Sequence, residues 1–382
     1  MMRRFLLLSW WLLLLLPTAS HAQSRRLRRL WVALAQHPQP GLAREQALWA
    51  LAWEKEVALS QQDSLARLAT ALAQQLRDPV GQLAGQVAVA RRQLVRGQRA
   101  AAQATLRPVL AAARRRGAAE LQVLVLVMLG RTYWGTAQHA QVLGCWQQAW
   151  AAAQHQPDPY WRVRTAILQG NFYDNYAQGL PWYFRGLRLA QQLDCQACQA
   201  DALGGIGYDY LQLQELGLAE RYLRQNLAVQ RQVVNRAGQG QALISLASLY
   251  LERRQYPAAE AALRRATALA PTAADSLAAG AALASALAQQ GQDARAQAQA
   301  RGGLRLARQL GHVDQVTFLE FTLASSYLHQ GRLDSALRYG QRAYAHRQGG
   351  AERHVLASTC QLLARAYAAC GTFAQAYAFQ SR

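Results

Sequence analysis

Lysine is almost absent from this chain: Lys55 is the only one in 382 residues, so the basic residues are otherwise all arginine. Acid is scarce as well, with 21 Asp+Glu against 42 Lys+Arg and a formal charge of +21. Charged residues of both signs reach only 16%, against 52% hydrophobic, a balance that excludes intrinsic disorder. Ten prolines and 27 glycines exclude collagen-like or proline-rich low complexity. Five cysteines are too few for a disulfide scaffold of this length.

Catalytic signatures are missing too. The chain contains no GxxxxGK[ST], no GxSxG and no HExxH. Gly238-Gln239-Gly240 begins like a dinucleotide fingerprint but meets Leu243 where the third glycine belongs. The histidines are scattered, and His312, His329, His346 and His354 read as surface residues near helix ends. The reading is of a non-enzymatic chain with no cofactor and no metal.

What is present begins with an address. Arg3 and Arg4 precede an apolar run from Phe5 to Leu16 that ends at Pro17, and Ser20-His21-Ala22 places small residues at −3 and −1. About a dozen apolar residues fall short of the roughly 20 of a spanning helix. Residues 1–22 therefore read as a cleaved signal peptide, and the mature chain as exported, periplasmic or secreted, with no transmembrane span. Residues 23–36 form a basic N-terminal segment.

From residue 37 to 382 the chain repeats. Tyr250 follows Leu246-Ala247 and precedes Ala259, Leu263, Ala266 and Pro271; Tyr327 follows Leu323-Ala324 and precedes Ala336 and Ala343. Tyr367, Tyr210 and Tyr133 follow Leu363-Ala364, Ile206-Gly207 and Leu129-Gly130, with Tyr173 and Leu287 completing the ladder. The large-small pair and the aromatic four residues after the large one share a helical face. Gly217, Gly291, Gly331 and Gly371 mark the turn, after which a second helix presents alanine where the two approach. Leu51-Ala52, Ser64, Leu68 and Ala71 fit a first unit; Ala102, Leu106 and Val109 fit a second, with Gln93 where the aromatic belongs. One such pair cannot bury its apolar face alone, but a stack can.

This pattern resembles the tetratricopeptide repeat (TPR) family. The resemblance implies an all-α, right-handed α-α superhelix of about nine helix pairs, the last incomplete. It also implies a protein or peptide partner on the concave face lined by the first helix of each pair. Two units depart from the pattern. Gly179-Leu180-Pro181 interrupts the unit around Tyr173, displacing Tyr183, and the unit around Leu287 is rich in Ala and Gly, so looser packing is expected in both.

Placed by that register, two residues before each aromatic, the groove row is Arg131, Asn171, Tyr208, Ser248, Ser285, Ser325 and Arg365, with Trp134, Arg164, Asn175 and Gln212 beside it. Arginine and asparagine in such a row can grip a carboxylate or a peptide backbone through fixed forks of donors, so the partner can be acidic. Arg25-Arg26-Leu27-Arg28-Arg29 and Arg114-Arg115-Arg116 raise polyanion binding, but export argues against a specific nucleic acid and toward anionic envelope polymers.

Cys195 and Cys198 begin a first helix, with Asp194 placed to cap it. They read as two small packing residues or as a disulfide formed on export; zinc would need ligands that are missing. Cys145, Cys360 and Cys370 read as buried small hydrophobes. In the last unit Leu363, Tyr367, Phe373, Ala376, Tyr377 and Phe379 have no following unit, which points either to self-association through the C-terminal repeat or to a piece of a longer chain. Such arrays also resemble the sensor or input region of signal-transduction proteins, an alternative to a free scaffold.

Overall fold

The computed structural model describes residues 25–380 apart from 55, 56, 58, 135–137, 174, 175, 234 and 346–352. The leader at 1–22, Asn175, His346 and the side chain of His354 lie outside the described residues. Among the described residues there are 19 helices and no strand. Helix α1 (Arg25–Gln36) stands before nine pairs. These are α2 (Leu42–Ala52) with α3 (Leu59–Leu76), α4 (Pro79–Val95) with α5 (Arg99–Arg115), α6 (Ala119–Tyr133) with α7 (His139–Gln154), and α8 (Tyr160–Phe172) with α9 (Tyr176–Leu193). There follow α10 (Gln196–Gln212) with α11 (Leu216–Gln232), α12 (Arg236–Glu252) with α13 (Tyr256–Leu269), α14 (Ala273–Gln289) with α15 (Asp293–Leu310), α16 (Val313–His329) with α17 (Leu333–Ala345), and α18 (Arg353–Ala369) with α19 (Phe373–Gln380). The fold is an all-α repeat superhelix of tandem TPR-like helix pairs. The chain divides into a first unit of 25–134, 138–213 and 228–233, and a second of 214–227 and 235–380.

The ladder position has a backbone role. The carbonyls of Gln93, Tyr250, Leu287, Tyr327 and Tyr367 each accept the N–H five residues on, at 2.7–3.0 Å. That bond closes the first helix of the pair, and the residue before the donor takes the left-handed conformation. Gly291 and Gly331 (φ 72° and 69°) supply it without a Cβ penalty. Gly217 does not: it lies inside α11, and Gln214 (φ 61°) makes the turn.

The tyrosine ring also links successive pairs. Arg107 Nη2 donates to Tyr133 Oη at 3.1 Å, Arg301 Nη2 to Tyr327 Oη, and Gln341 Nε2 to Tyr367 Oη at 2.6 Å, each across 26 residues. Arg224 stands in the same relation to Tyr250.

Several expectations change. The basic segment at 25–36 is helix α1, with Leu27, Trp31 and Leu34 buried among Leu48 and Leu51. Arg26 is sunk between Glu54 and Asp158 (both 2.7 Å) and the Arg25 side chain lies 3.9 Å from Asp194, while Arg28 and Arg29 are exposed. Asp194 does not cap α10; it holds a left-handed φ of 54°, and Cys195 Sγ accepts from Cys198 N at 3.3 Å. Cys195 and Cys198 are joined in a buried disulfide. Cys360 is buried, but Cys145 is half-buried and Cys370 exposed.

The two atypical units are tightly filled. Helix α9 runs through Pro181, and Tyr183 is 5% exposed. A Cβ on Gly170 or Gly205 would come within 2.8 or 2.2 Å of its ring, so both glycines exist where the tyrosine needs room. In α14, Leu277, Ala281, Ala284 and Leu287 are buried, and small side chains there permit close helix approach.

Candidate functional site

A cavity of about 550 Å³ opens in the first unit. Successive first helices build it because residues three or four apart on a helix share a face. Helix α4 contributes Arg91, Leu94 and Val95; α6 contributes Val127, Met128 and Arg131, with Trp134 just beyond its end; α8 contributes Arg164, Leu168 and Asn171. Arg99 from α5 and Trp146 from α7 complete the lining.

Four arginines line this space and no carboxylate does. Arg91 is committed to the wall. Its Nη1 donates to Ala52 O at 3.0 Å and to Gln62 Oε1 at 2.9 Å, its Nη2 to Asp63 Oδ1 at 2.7 Å, and it lies 4.7 Å over the Trp53 ring. Arg99, Arg131 and Arg164 have no ion pair among the described residues. Arg131 reaches solvent through the cavity mouth, yet the surrounding protein takes away much of its water, and Arg164 and Arg91 repel it; both effects lower its pKa from the ordinary value. An arginine does not deprotonate to relieve this, so the Arg131 charge faces the cavity without an acid to offset it.

The rest of the lining is apolar and braced. Trp134, 45% exposed, stacks on Trp146 at 5.3 Å. Trp146 is buried against Gly130, where a Cβ would come within 2.0 Å of Nε1. Asn171 is oriented from behind: Tyr183 Oη donates to its Oδ1 at 2.6 Å, leaving the amide nitrogen to donate elsewhere.

The structure thus brings together Arg131, Arg164, Asn171 and Trp134 from the predicted row. Tyr208 (41% exposed, edge-on to Tyr176 at 6.1 Å) and Gln212 belong to the same unit but do not line the cavity. Ser248, Ser285, Ser325 and Arg365 belong to the second unit; Ser248 is exposed, with its Oγ donating to Ile244 O, Ser285 and Ser325 are half-buried, and Arg365 is exposed. Arg91 and Arg99 were not in the predicted row. Arg91 stands in the same register, two residues before Gln93, upstream of the ladder that runs from Tyr133 to Tyr367. Nothing in the register points to Arg99. Among the described residues no group of three or more His, Cys, Asp or Glu could hold a metal ion, and no helix is long and apolar enough to cross a membrane.

Comparison with known proteins agrees with this architecture. The tetratricopeptide repeat family model matches residues 198–272. No curated protein matches the sequence. Among solved structures, a Rap protein complexed with competence and sporulation factor is similar, at TM-score 0.66 and 13% identity over 93% of this chain and 96% of that one. The apo form of the quorum sensor NprR from B. thuringiensis has TM-score 0.58 and 12% identity over 88% and 96%. The Rap conjugation gene regulator of the plasmid pLS20, in complex with the Phr* peptide, has TM-score 0.57 and 12% identity over 71% and 74%. At such identities the likeness is one of fold.

Proposed function

We propose that this chain of tetratricopeptide repeats is an exported, non-catalytic scaffold that binds an acidic protein segment or peptide in the arginine-lined cavity of its first unit. The observation that carries this reading is the cavity itself: four arginines, no acid, an apolar floor and a partly exposed tryptophan. A peptide with acidic and apolar side chains uses both the arginines and the apolar walls. Two of the similar solved structures hold a peptide or factor, which supports a peptide-sized occupant. The test is titration of a fluorescein-labelled hexapeptide alternating glutamate and leucine, with the lysine-for-glutamate peptide as control. Arg131→Ala should weaken acidic-peptide binding by about tenfold or more, the range for losing a charge-assisted hydrogen bond. Equal binding of both peptides, or none, would refute the assignment. Export is tested by fusing residues 1–22 to a reporter active only outside the cytoplasm.

A second reading has its own observation. In the second unit Tyr327 and Tyr339 stack at 5.6 Å, and Arg332, Arg338 and Arg342 lie within 6 Å of one ring or the other, beside Arg301. This basic surface favours an anionic envelope polymer. Binding of such a polymer should fall steeply with salt and with Arg338→Ala plus Arg342→Ala, and survive Arg131→Ala. Self-association through the C-terminal repeat is favoured by Phe373 and Tyr377, 71% and 73% exposed on α19. Light scattering should then show a dimer that Tyr377→Glu dissociates.

A further inference from the structure

The cavity explains Arg131 and Asn171 but not Arg26, which pairs with two acids. Arg26 donates from Nε to Glu54 Oε2 at 2.7 Å and with both Nη atoms to Asp158 at 2.8 and 2.7 Å, and its guanidinium lies 4.4 Å over the Tyr160 ring. Burial works against the charge, yet Asp158 and Glu54 outweigh it and hold the pKa above its ordinary value. One side chain of α1 thus ties the end of α2 to the start of α8, 132 residues from its own position.

Groups beside those two tie points hold two of the cavity's arginines. Trp53 O accepts from Tyr160 Oη at 3.1 Å, and Tyr160 Oη accepts from Arg164 Nη1 at 3.1 Å. Ala52 O and the Trp53 ring hold Arg91. Arg91 and Arg164 are two of the four cations lining the cavity. Both are therefore positioned by the segment of residues 52–54 and by Tyr160, on whose ring the Arg26 guanidinium also rests. Without Arg26, Glu54 (1% exposed) and Asp158 lose this guanidinium, and of the two guanidiniums over the Tyr160 ring only that of Arg164 remains.

We infer that α1 is a strap that sets the cavity walls through Arg26 and Tyr160, so that docking of α1 and occupation of the cavity reinforce one another. Arg26 is a positioning residue: it does not line the cavity, and it acts through Tyr160 on Arg164 and through residues 52–54 on Arg91. The inference rests on the cavity being the binding site. Linkage then demands reciprocity: if α1 raises affinity, ligand must stabilise α1 by the same factor.

The experiment uses the fluorescein-labelled glutamate-leucine hexapeptide and the full chain. Arg26→Gln should weaken binding about five- to tenfold, within the usual range of coupling between sites, and Arg26→Lys should restore part of it. In the wild-type protein the bound peptide should slow hydrogen exchange across 25–36. Tyr160→Phe keeps the ring under Arg26 and removes the hydroxyl, so it should weaken binding while α1 stays protected; if Arg26→Gln does not fold, the exchange of 25–36 in the wild-type protein with and without peptide decides the matter. Wild-type affinity in folded Arg26→Gln or in Tyr160→Phe, or α1 exchange indifferent to peptide, overturns the coupling while leaving the cavity assignment standing. Failure of the wild-type protein to bind the peptide overturns both.

Discussion

All the described tryptophans lie in the first unit: Trp31, Trp49, Trp53, Trp134, Trp146, Trp150, Trp161 and Trp182. The second unit has none, and α14 buries Ala279, Gly280, Ala281, Ala284, Ala286 and Ala288 beside Leu277 and Leu287. Their ion pairs differ in the same sense. In the first unit the paired side chains of Arg26 and Arg91 are 11% and 9% exposed, whereas in the second Glu220 serves Arg224 and Arg253, and Glu260 serves Arg264 and Arg295, all four arginines 27–64% exposed. One repeat plan therefore supports two outcomes. Small residues let helices meet closely. Bulky aromatics hold helices apart, and the space between is lined by whatever long side chains the first helices carry.

The largest expected effect that sharpens this contrast is Trp146→Ala. Loss of a buried tryptophan costs about 4 kcal/mol, read as a fall in the denaturation midpoint followed by the fluorescence of the remaining tryptophans, and peptide binding should go with it. Leu323→Ala, fully buried in the second unit, should cost about 3 kcal/mol by circular dichroism and spare the binding. A Trp146→Ala protein that still binds would break the link between aromatic props and the cavity.

Next comes a pair of glycines with opposite signs. Gly205→Ala drives a Cβ to 2.2 Å from Tyr183 Cε1 and should destabilise by about 2 kcal/mol through overpacking. Gly302 lies within α15 with nothing within 4 Å of a Cβ, so Gly302→Ala should stabilise by about 0.5–1 kcal/mol through helix propensity. Urea titration of both variants measures this, and the same sign for both would mean that glycine has one role throughout the array.

The smallest effect is with pH. Burial raises Glu45 and Asp209, both of the first unit, to about 7. Between the ordinary carboxyl value near 4 and 7 the folded state holds protons that the unfolded state has released, so stability falls as pH rises through that window. Melting followed by tryptophan fluorescence should move upward from pH 8 to pH 5, less so in Asp209→Asn. Glu260 of the second unit behaves oppositely. Hydrogen bonds from Arg295 and then Arg264 lower its pKa, so its contribution is present above pH 4 and is lost on further acidification. Its nearness to solvent keeps that contribution small. A first unit that melts lower at pH 5 than at pH 8 would mean that Glu45 and Asp209 are ionised in the fold.

Much of this is legible from spacing. Tyr250, Tyr327 and Tyr367 mark their helices because the aromatic's carbonyl closes the helix and its hydroxyl meets the preceding pair, both at constant sequence offsets. The same register reaches Arg131 and Asn171, and applied to Gln93 it reaches Arg91. Tyr183 is the counterexample. As a displaced ladder residue it suggests a poor fit, but Gly170 and Gly205 on two other helices leave it a slot. That fit is a matter of volume between helices, and no offset within one helix encodes it.

Helix pairs, their number and the face each first helix turns inward follow from local periodicity, because backbone closure and large-small packing act over a few residues or one repeat. Which arginines stay free to meet a ligand does not. Arg25-Arg26-Leu27-Arg28-Arg29 reads as one uniform cluster, yet Arg26 is withdrawn from the surface by Asp158, 132 residues on. Arg131 keeps its charge uncompensated because its nearest ionised neighbours are Arg164 and Arg91. Electrostatic partnership depends on distances in space that only the stacking of several pairs brings about, and it separates the arginines that hold the fold from those that face the cavity.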